Sequence, residues 1–148
     1  MDKQAAIISL YLKSVNLFNE IEKKPKYYGT DQLLYNSEID TLVLIGKNHE
    51  INLTDLAGLL GISKSGTSRF VKKLIEKGLI KKDKKPGNAK EVVFHLTSIG
   101  KIAFTEKEEF NKKLYTSLYS LIARYVEGDL NRIQEFLLET NSEMRKLL

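Results

Sequence analysis

Two short helical segments meet at a tight glycine turn in the middle of the chain, and this feature constrains the fold most. The first segment follows Thr54 as its cap and ends at Gly61, and Ser63 can then cap a second helix. The second helix stops at Gly78 and directs four side chains inward at helical spacing: Thr67, Phe70, Val71 and Leu74. Two short helices joined in this way predict a helix-turn-helix.

A basic hairpin is predicted directly after the second of these helices. The runs 79–82 and 91–96 are strand-like, and Pro86-Gly87 between them supplies the two central residues of a type II turn. Ile51-Asn52-Leu53 predicts a strand stub that completes the sheet. A helix-turn-helix followed by a hairpin is a winged helix, so the expected fold class is mainly α with a small β-hairpin wing.

A long amphipathic helix and a loop are predicted before the helix-turn-helix. Apolar residues recur every three or four positions over residues 2–23, which is the spacing of one helical stripe. The loop over 27–35 contains Gly29 and leads to another helix, which Asn36 or Ser37 can cap.

Two further amphipathic helices are predicted after the hairpin. Thr97 can cap a helix of about 28 residues, and Gly128 with Asp129 provides a break and a cap for the last one. With the first helix, these stripes hold more large apolar side chains than one winged domain can bury, which predicts a homodimer. The expected organisation is an N-terminal dimerisation helix and loop over 1–35, a winged helix-turn-helix DNA-binding domain over 36–98, and C-terminal dimerisation helices over 99–148.

The net charge of +5 is concentrated on the helix-turn-helix and the hairpin. Residues 61–95 carry ten basic side chains against three acidic ones, so this segment is +7 and the remainder of the chain is −2. A basic face on an otherwise mildly acidic protein is typical of a polyanion-binding protein. A lysine-rich surface that serves only solubility is the alternative interpretation.

The exposed face of the second helix and the hairpin tip supply candidate contacts to double-stranded DNA. In a helix-turn-helix the second helix enters the major groove with its N-terminal part, and basic groups meet phosphates. Arg69 is the candidate for bidentate reading of guanine, and Ser65 and Ser68 suit bases or phosphates. The full candidate set is Lys64, Ser65, Thr67, Ser68, Arg69, Lys72, Lys73, Lys84, Lys85, Asn88 and Lys90.

Five motifs in this region resemble the DNA-binding core of MarR-type transcriptional regulators. They are Leu53-Thr54-Asp55-Leu56-Ala57, Leu60-Gly61-Ile62-Ser63-Lys64-Ser65, Ser68-Arg69, Leu74-Ile75-Glu76-Lys77-Gly78-Leu79-Ile80 and Leu96-Thr97-Ser98-Ile99-Gly100. The resemblance covers Ser37 to about Lys101. It implies a sequence-specific regulator that acts as a homodimeric, ligand-responsive repressor on a pseudo-palindromic operator.

The chain departs from the family pattern at two places. MarR relatives often carry an Asp-x-Arg pair in the wing, whereas the matching positions here are Asn88 and Lys90. The charge is kept, but the bidentate arginine is lost, so wing-dependent sequence preference is in doubt. Gly66 stands where the family usually has a larger side chain, and it would let the backbone approach DNA closely.

Regulation by a small ligand is implied by the resemblance alone. MarR relatives are commonly released by aromatic or amphipathic compounds bound where the dimerising helices meet the winged domain. Tyrosines combine an apolar body with a hydrogen-bonding tip that suits such a ligand. The candidate residues are Tyr11, Phe18, Tyr27, Tyr28 and Tyr35, and a role in the dimer core is the alternative for them.

Several other function classes are not supported by the residues. The absence of cysteine excludes disulfides and thiol chemistry, and neither His49 nor His95 has a nucleophile or carboxylate pair at catalytic spacing. The glycine-rich stretch 61–68 fails as a P-loop because Thr67 stands where lysine is required. We therefore expect a protein that is not an enzyme and needs no cofactor or metal. A winged-helix protein-interaction module without DNA binding is the alternative function.

No membrane partner is expected either. The longest mostly apolar stretch without charge, Leu114 to Ala123, is about half of the roughly 20 residues that a membrane span needs. The apolar run from Ala5 to Leu12 leads into Lys13 without a small-residue cleavage site. These features predict a cytoplasmic protein.

Overall fold

A computed structural model describes residues 2–148 and confirms a mainly α fold with a small β-hairpin. Within these residues the elements are α1 (Lys3–Lys23), α2 (Asn36–Lys47), α3 (Leu53–Leu60), α4 (Lys64–Glu76), β1 (Ile80–Lys85), β2 (Asn88–Leu96), α5 (Ser98–Ile122) and α6 (Glu127–Arg145). The strands form one antiparallel two-stranded sheet. No helix in this part of the chain is long and apolar enough to cross a membrane.

The chain divides into two compact units, one extending to Glu108 and the other running from Glu109 to Leu148. α5 contributes residues to both units. In the first unit, α2 packs against α3, α4 and β2, and α4 also packs against β1. The core between these elements is mainly aliphatic, and its largest fully buried members are Leu34, Ile39, Leu42, Leu56, Leu74 and Leu79.

The hairpin turns at Pro86-Gly87 as predicted, and its strands extend further toward this turn than the predicted runs 79–82 and 91–96. Ile80 pairs with Leu96, the pairing becomes irregular between Lys84 and Lys85, and Gly87 adopts the positive φ of +80° that the turn requires. The predicted strand stub is a single bridge in which the Phe94 N–H donates to the Ile51 carbonyl at 3.0 Å.

Helix ends agree with the sequence predictions at three positions. Ser63 caps α4, Thr97 caps α5, and Gly78 takes a left-handed φ of +74° just after α4. At Gly100 in the first turn of α5, a Cβ atom would lie 1.9 Å from the Leu79 carbonyl oxygen. This close approach fixes the start of α5 on the segment between α4 and β1 and requires glycine.

Three other caps differ from the predictions. Asn52 caps α3 instead of Thr54, because its side chain accepts from the Asp55 N–H at 2.8 Å. α2 begins after Tyr35, whose N–H donates to Glu38, so neither Asn36 nor Ser37 is the cap. α6 begins at Glu127, so Gly128 and Asp129 lie within its first turn.

Large apolar side chains remain exposed along the flanking helices. α1 has no buried residue. Its exposed apolar residues include Ile7, Ile8, Leu10, Val15, Leu17 and Phe18. In the second unit the exposed set includes Tyr115, Leu118, Tyr119, Leu121, Ile122 and Leu138. Exposed apolar surface of this extent is typical of an interaction face.

A buried charge cluster joins α1, α2 and α5 within the first unit. The Lys107 ammonium is buried and lies 3.4 Å from a Glu22 carboxylate oxygen. Burial raises the pKa of the nearby Asp40 carboxyl; Lys107 opposes this shift and Glu22 adds to it. Burial also lowers the pKa of Lys26, with a further contribution from Lys107.

Candidate nucleic-acid interface

The first turn of α4 is fixed by local hydrogen bonds from Ser63. The Ser63 hydroxyl accepts from the Gly66 N–H at 3.1 Å and lies 3.1 Å from the Ser65 hydroxyl. A serine cap of this kind stabilises a helix by about 1 kcal/mol. No acidic residue occupies this first turn, so the amide dipoles at the start of α4 face solvent without a neighbouring carboxylate.

The apolar face of α4 determines which side chains face solvent. Thr67, Val71 and Leu74 are buried, as their spacing predicts. The Thr67 hydroxyl donates to the Ser63 carbonyl at 2.9 Å. Because Thr67 is fully buried, the prediction that its side chain contacts DNA is wrong.

Gly66 is also buried and does not offer its backbone to DNA in the way expected from its sequence position. A Cβ atom here would lie 3.2 Å from the Ser63 hydroxyl oxygen and 3.6 Å from the Ile62 side chain. The glycine therefore faces the turn between α3 and α4, where it gives room to the cap.

The opposite face of α4 presents a set of unpaired cations. The exposed candidates on it are Lys64, Ser65, Ser68, Arg69, Lys72 and Lys73. Within residues 2–148, the four basic side chains of this set make no ion pair or side-chain hydrogen bond. Four cations on one helix face without counter-charges leave a positive surface open to a polyanion.

A buried ion pair holds the C-terminal end of α4 against α2. The Lys77 ammonium donates to the two Glu38 carboxylate oxygens at 2.9 and 2.8 Å and to the Leu33 carbonyl at 2.7 Å. Glu38 is only 2% exposed. The Lys77 ammonium also lies 5.7 Å from the centre of the Tyr35 ring. All three ammonium protons are therefore used, which fixes the orientation of α4 on the core.

The hairpin tip presents its basic residues less uniformly. Lys84 and Lys90 are exposed, and the Asn88 side chain accepts from the Lys90 N–H at 3.3 Å. Lys85 is half-buried and pairs with Glu91 at 3.3 Å. The hydrogen bond from Asn52 to Glu91, together with the one from Lys85, lowers the pKa of that carboxyl.

A cleft of about 570 Å³ separates α4 from one face of the hairpin. Its walls are mainly apolar, from Leu53, Val71, Ile75, Val92 and Phe94, with Lys72 and Lys82 among the polar residues. Lys82 is exposed and adds a basic group to this region that the sequence-based set omits. Strand alternation could have found it, since Lys82 pairs with Phe94 and Lys84 with Val92 on the same face.

The five candidate ligand residues have different environments. Tyr28 lies in the core with a φ of +48°, and burial raises the pKa of its hydroxyl. Phe18, Tyr27 and Tyr35 are exposed, and Tyr11 is half-buried. Only the last four therefore have ring surface available for a ligand.

The helix-turn-helix region is similar to sequences of a known family. Residues 34–92 match the model of the MarR family. The uncharacterized HTH-type transcriptional regulator YhjH of Bacillus subtilis (strain 168) is 30% identical over 114 residues, which cover 77% of this chain and 65% of YhjH. The chain thus spans just under two thirds of that relative. The match agrees with the resemblance drawn from the motifs, and the relative is named as a transcriptional regulator.

Solved structures with the same fold cover nearly the whole chain. The zinc-responsive MarR family member ZitR of Lactococcus lactis superposes with a TM-score of 0.75 at 19% identity, over 95% of this chain and 99% of that one. FabT of Streptococcus pneumoniae, solved in complex with DNA, superposes with a TM-score of 0.71 at 21% identity, over 99% and 100%. At these identities the likeness shows the fold, which is the predicted winged helix with long flanking helices.

Proposed function

We propose that this chain, whose residues 34–92 match the model of the MarR family, belongs to that family, binds double-stranded DNA and regulates transcription. One observation carries the proposal: the exposed face of α4 presents four basic side chains without counter-charges, inside the segment that matches the family. A helix that packed the core and served only solubility would not need to exclude every carboxylate from its first turns. FabT, which shares the fold, has been solved in complex with DNA.

The proposed roles follow from position and hydrogen-bonding chemistry. With α4 in the major groove, Arg69 reads guanine through its two parallel donors, and Ser65 and Ser68 contact bases or phosphates. The sequence-independent contacts go to phosphates. They come from Lys64, Lys72, Lys73, Lys84, Asn88 and Lys90. Lys85 contributes less, because Glu91 already neutralises it.

A homodimer is part of the proposal. We assign residues 36–98 to DNA binding and residues 1–35 and 99–148 to dimerisation, because the flanking helices expose apolar stripes. A two-fold dimer places two copies of α4 about 34 Å apart, one turn of B-DNA, and so fits a pseudo-palindrome. Sedimentation at micromolar concentration should give twice the chain mass of 16.9 kDa. A species near 16.9 kDa would contradict the dimer.

We also propose that the chain represses transcription and that a small ligand relieves this repression. An aromatic or amphipathic compound would bind Tyr11, Phe18, Tyr27 and Tyr35, whose rings are at least partly exposed. Such a ligand must favour the state that does not bind DNA, by about 1.4 kcal/mol for each tenfold loss of operator affinity. If phenolic and fatty-acyl compounds raise the melting temperature but never weaken DNA binding, ligand control is excluded for those classes.

The test of DNA binding uses duplexes selected from a random library by the full chain. We expect a selected duplex to bind at least about 10³-fold more tightly than random DNA at the same salt concentration. Lys112→Ala, a substitution of an exposed lysine on α5, is the matched control and should leave the affinity unchanged. Failure to enrich or bind any duplex would favour a winged-helix protein-interaction module instead.

A further inference from the structure

A second cleft lies on the hairpin face that points away from α4. Its volume is about 380 Å³, within the range of small-molecule sites. It is formed by the end of α2, both strands and the start of α5. The side chains that matter for its chemistry are Ile45, His49, Lys81, Asp83, His95 and Lys101.

The charged groups of this cleft come from separate elements and converge. Lys81 and His95 are directly opposite each other in the hairpin register. Directly opposed residues of an antiparallel pair have their Cβ atoms about 5 Å apart. His49 follows α2, and Lys101 lies in the first turns of α5. Two permanent cations and two histidines therefore share one concave surface.

These cationic groups have no protein counter-ion in the described part of the chain. Within residues 2–148, the two lysines and two histidines of the cleft make no side-chain hydrogen bond and no ion pair. The single carboxylate of the cleft, Asp83, accepts from the Lys84 N–H at 2.9 Å. A concave surface lined by unpaired positive charge raises the local concentration of anions.

We propose that this cleft binds a small oxyanion with two negative charges. Lys81 and Lys101 would hold the charged groups, and His49 and His95 would donate hydrogen bonds to them. The proposal concerns a site separate from the exposed face of α4.

The other charged groups around the cleft act in different directions. Asp83 opposes an anion bound there. The neighbouring Lys47 is paired with Glu108 at 3.2 Å, so these two charges offset each other. His49 also lines a neighbouring cavity, whose charged residues are Glu50, Asp55 and Lys85.

The chain contains only two histidines, which makes proton NMR of their imidazole rings a direct test. Sulfate and oxalate serve as probes, because both carry two negative charges near neutral pH. Titrated into the protein, at least one of them should shift both histidine resonances saturably. If only sulfate binds, the ligand is a tetrahedral oxyanion. If only oxalate binds, the ligand is a dicarboxylate. Shifts that chloride reproduces at equal ionic strength would overturn the proposal.

Substitutions give the second measurement. Lys81→Gln and Lys101→Gln should each weaken binding of the effective probe about fivefold, whereas Lys112→Gln on α5 should not change it. Asp83→Asn should strengthen binding, a gain that loss of folding cannot produce. Equal affinities for Lys81→Gln and Lys112→Gln would overturn the site. The experiment contains no DNA, so its result does not depend on the proposed regulatory function.

Discussion

α4 and the hairpin both direct lysines to solvent, but different interactions hold them in place. α4 buries one complete face and ties its C-terminal end to α2 through Lys77 and Glu38. The hairpin leaves residues 81–84 and 86–90 exposed, and its tip is secured by the contacts of Glu91 with Lys85 and Asn52.

This difference indicates which kind of DNA contact each region would make. Reading a base edge requires a side chain on a backbone that does not move, and α4 satisfies this condition. Contacts to phosphates carry no sequence information and tolerate small shifts, so the exposed hairpin suffices for them. We therefore expect specificity from α4 and sequence-independent affinity from the hairpin.

The largest expected effect comes from removing the anchor of α4. Glu38→Ala leaves the Lys77 ammonium without its carboxylate partner and should lower the free energy of unfolding by about 3 kcal/mol. Glu143→Ala is the matched control, because it breaks the exposed pair with Lys146 and should cost less than about 1 kcal/mol. Urea denaturation at equal protein concentration measures both. Equal losses would show that α4 is not anchored through this pair.

Arg69→Ala tests whether α4 reads bases. It should weaken binding to a selected duplex by about 1–3 kcal/mol and change the affinity for random DNA much less. Fluorescence anisotropy with both duplexes at one salt concentration gives the comparison. An equal loss on the two duplexes would place Arg69 on the phosphate backbone.

The hairpin lysines should give smaller and more uniform losses. Lys84→Ala or Lys90→Ala should weaken binding to all duplexes and reduce the slope of log affinity against log salt by about one unit for each phosphate that is no longer neutralised. Lys85→Ala should have less effect, because Glu91 neutralises Lys85 before DNA arrives. If Lys85→Ala weakens DNA binding as much as Lys84→Ala and Lys90→Ala do, DNA must break the ion pair between Lys85 and Glu91.

The smallest effect concerns pH. Because its hydrogen bonds lower the pKa of Glu91 from an ordinary 4.5, the stability that Glu91 contributes is present above that pH and is lost as pH falls through the lowered value. Glu91→Gln should therefore flatten the acid side of the stability profile.

Asp40 has the opposite effect on the pH profile, because burial raises the pKa of its carboxyl. The stability that Asp40 contributes is lost as the pH rises from 3.8, so Asp40→Asn should stabilise the protein at pH 7. Urea denaturation across this pH range checks both signs.

Local patterns predicted most of the fold. The spacing of Thr67, Val71 and Leu74 gives the buried face of α4, and Gly78 gives its end, because both depend on helical geometry alone. The caps of α2 and α3 were predicted less well, since several residues able to accept hydrogen bonds stand side by side there. At α3, Asn52 and Thr54 compete, and only tertiary packing decides between them.

Long-range pairs could not be predicted from the sequence. Glu38 and Lys77 are 39 residues apart, and nothing local distinguishes Lys77 from the lysines that face solvent. The candidate interface could likewise be predicted only in part from the sequence. Its exposed face on α4 follows from helical periodicity, whereas the neutralisation of Lys85 by Glu91 depends on the geometry of the hairpin tip.

The burial of Lys107 has a consequence for chemical reactivity. Among the lysines of residues 2–148, Lys107 alone is buried, and its ammonium is held near the Glu22 carboxylate. Acylating reagents attack only an accessible, deprotonated amine, so this side chain should resist labelling while the exposed lysines react within minutes. The labelling rate of Lys107 then reports how often α1 and α5 separate, and so measures local opening of the first unit.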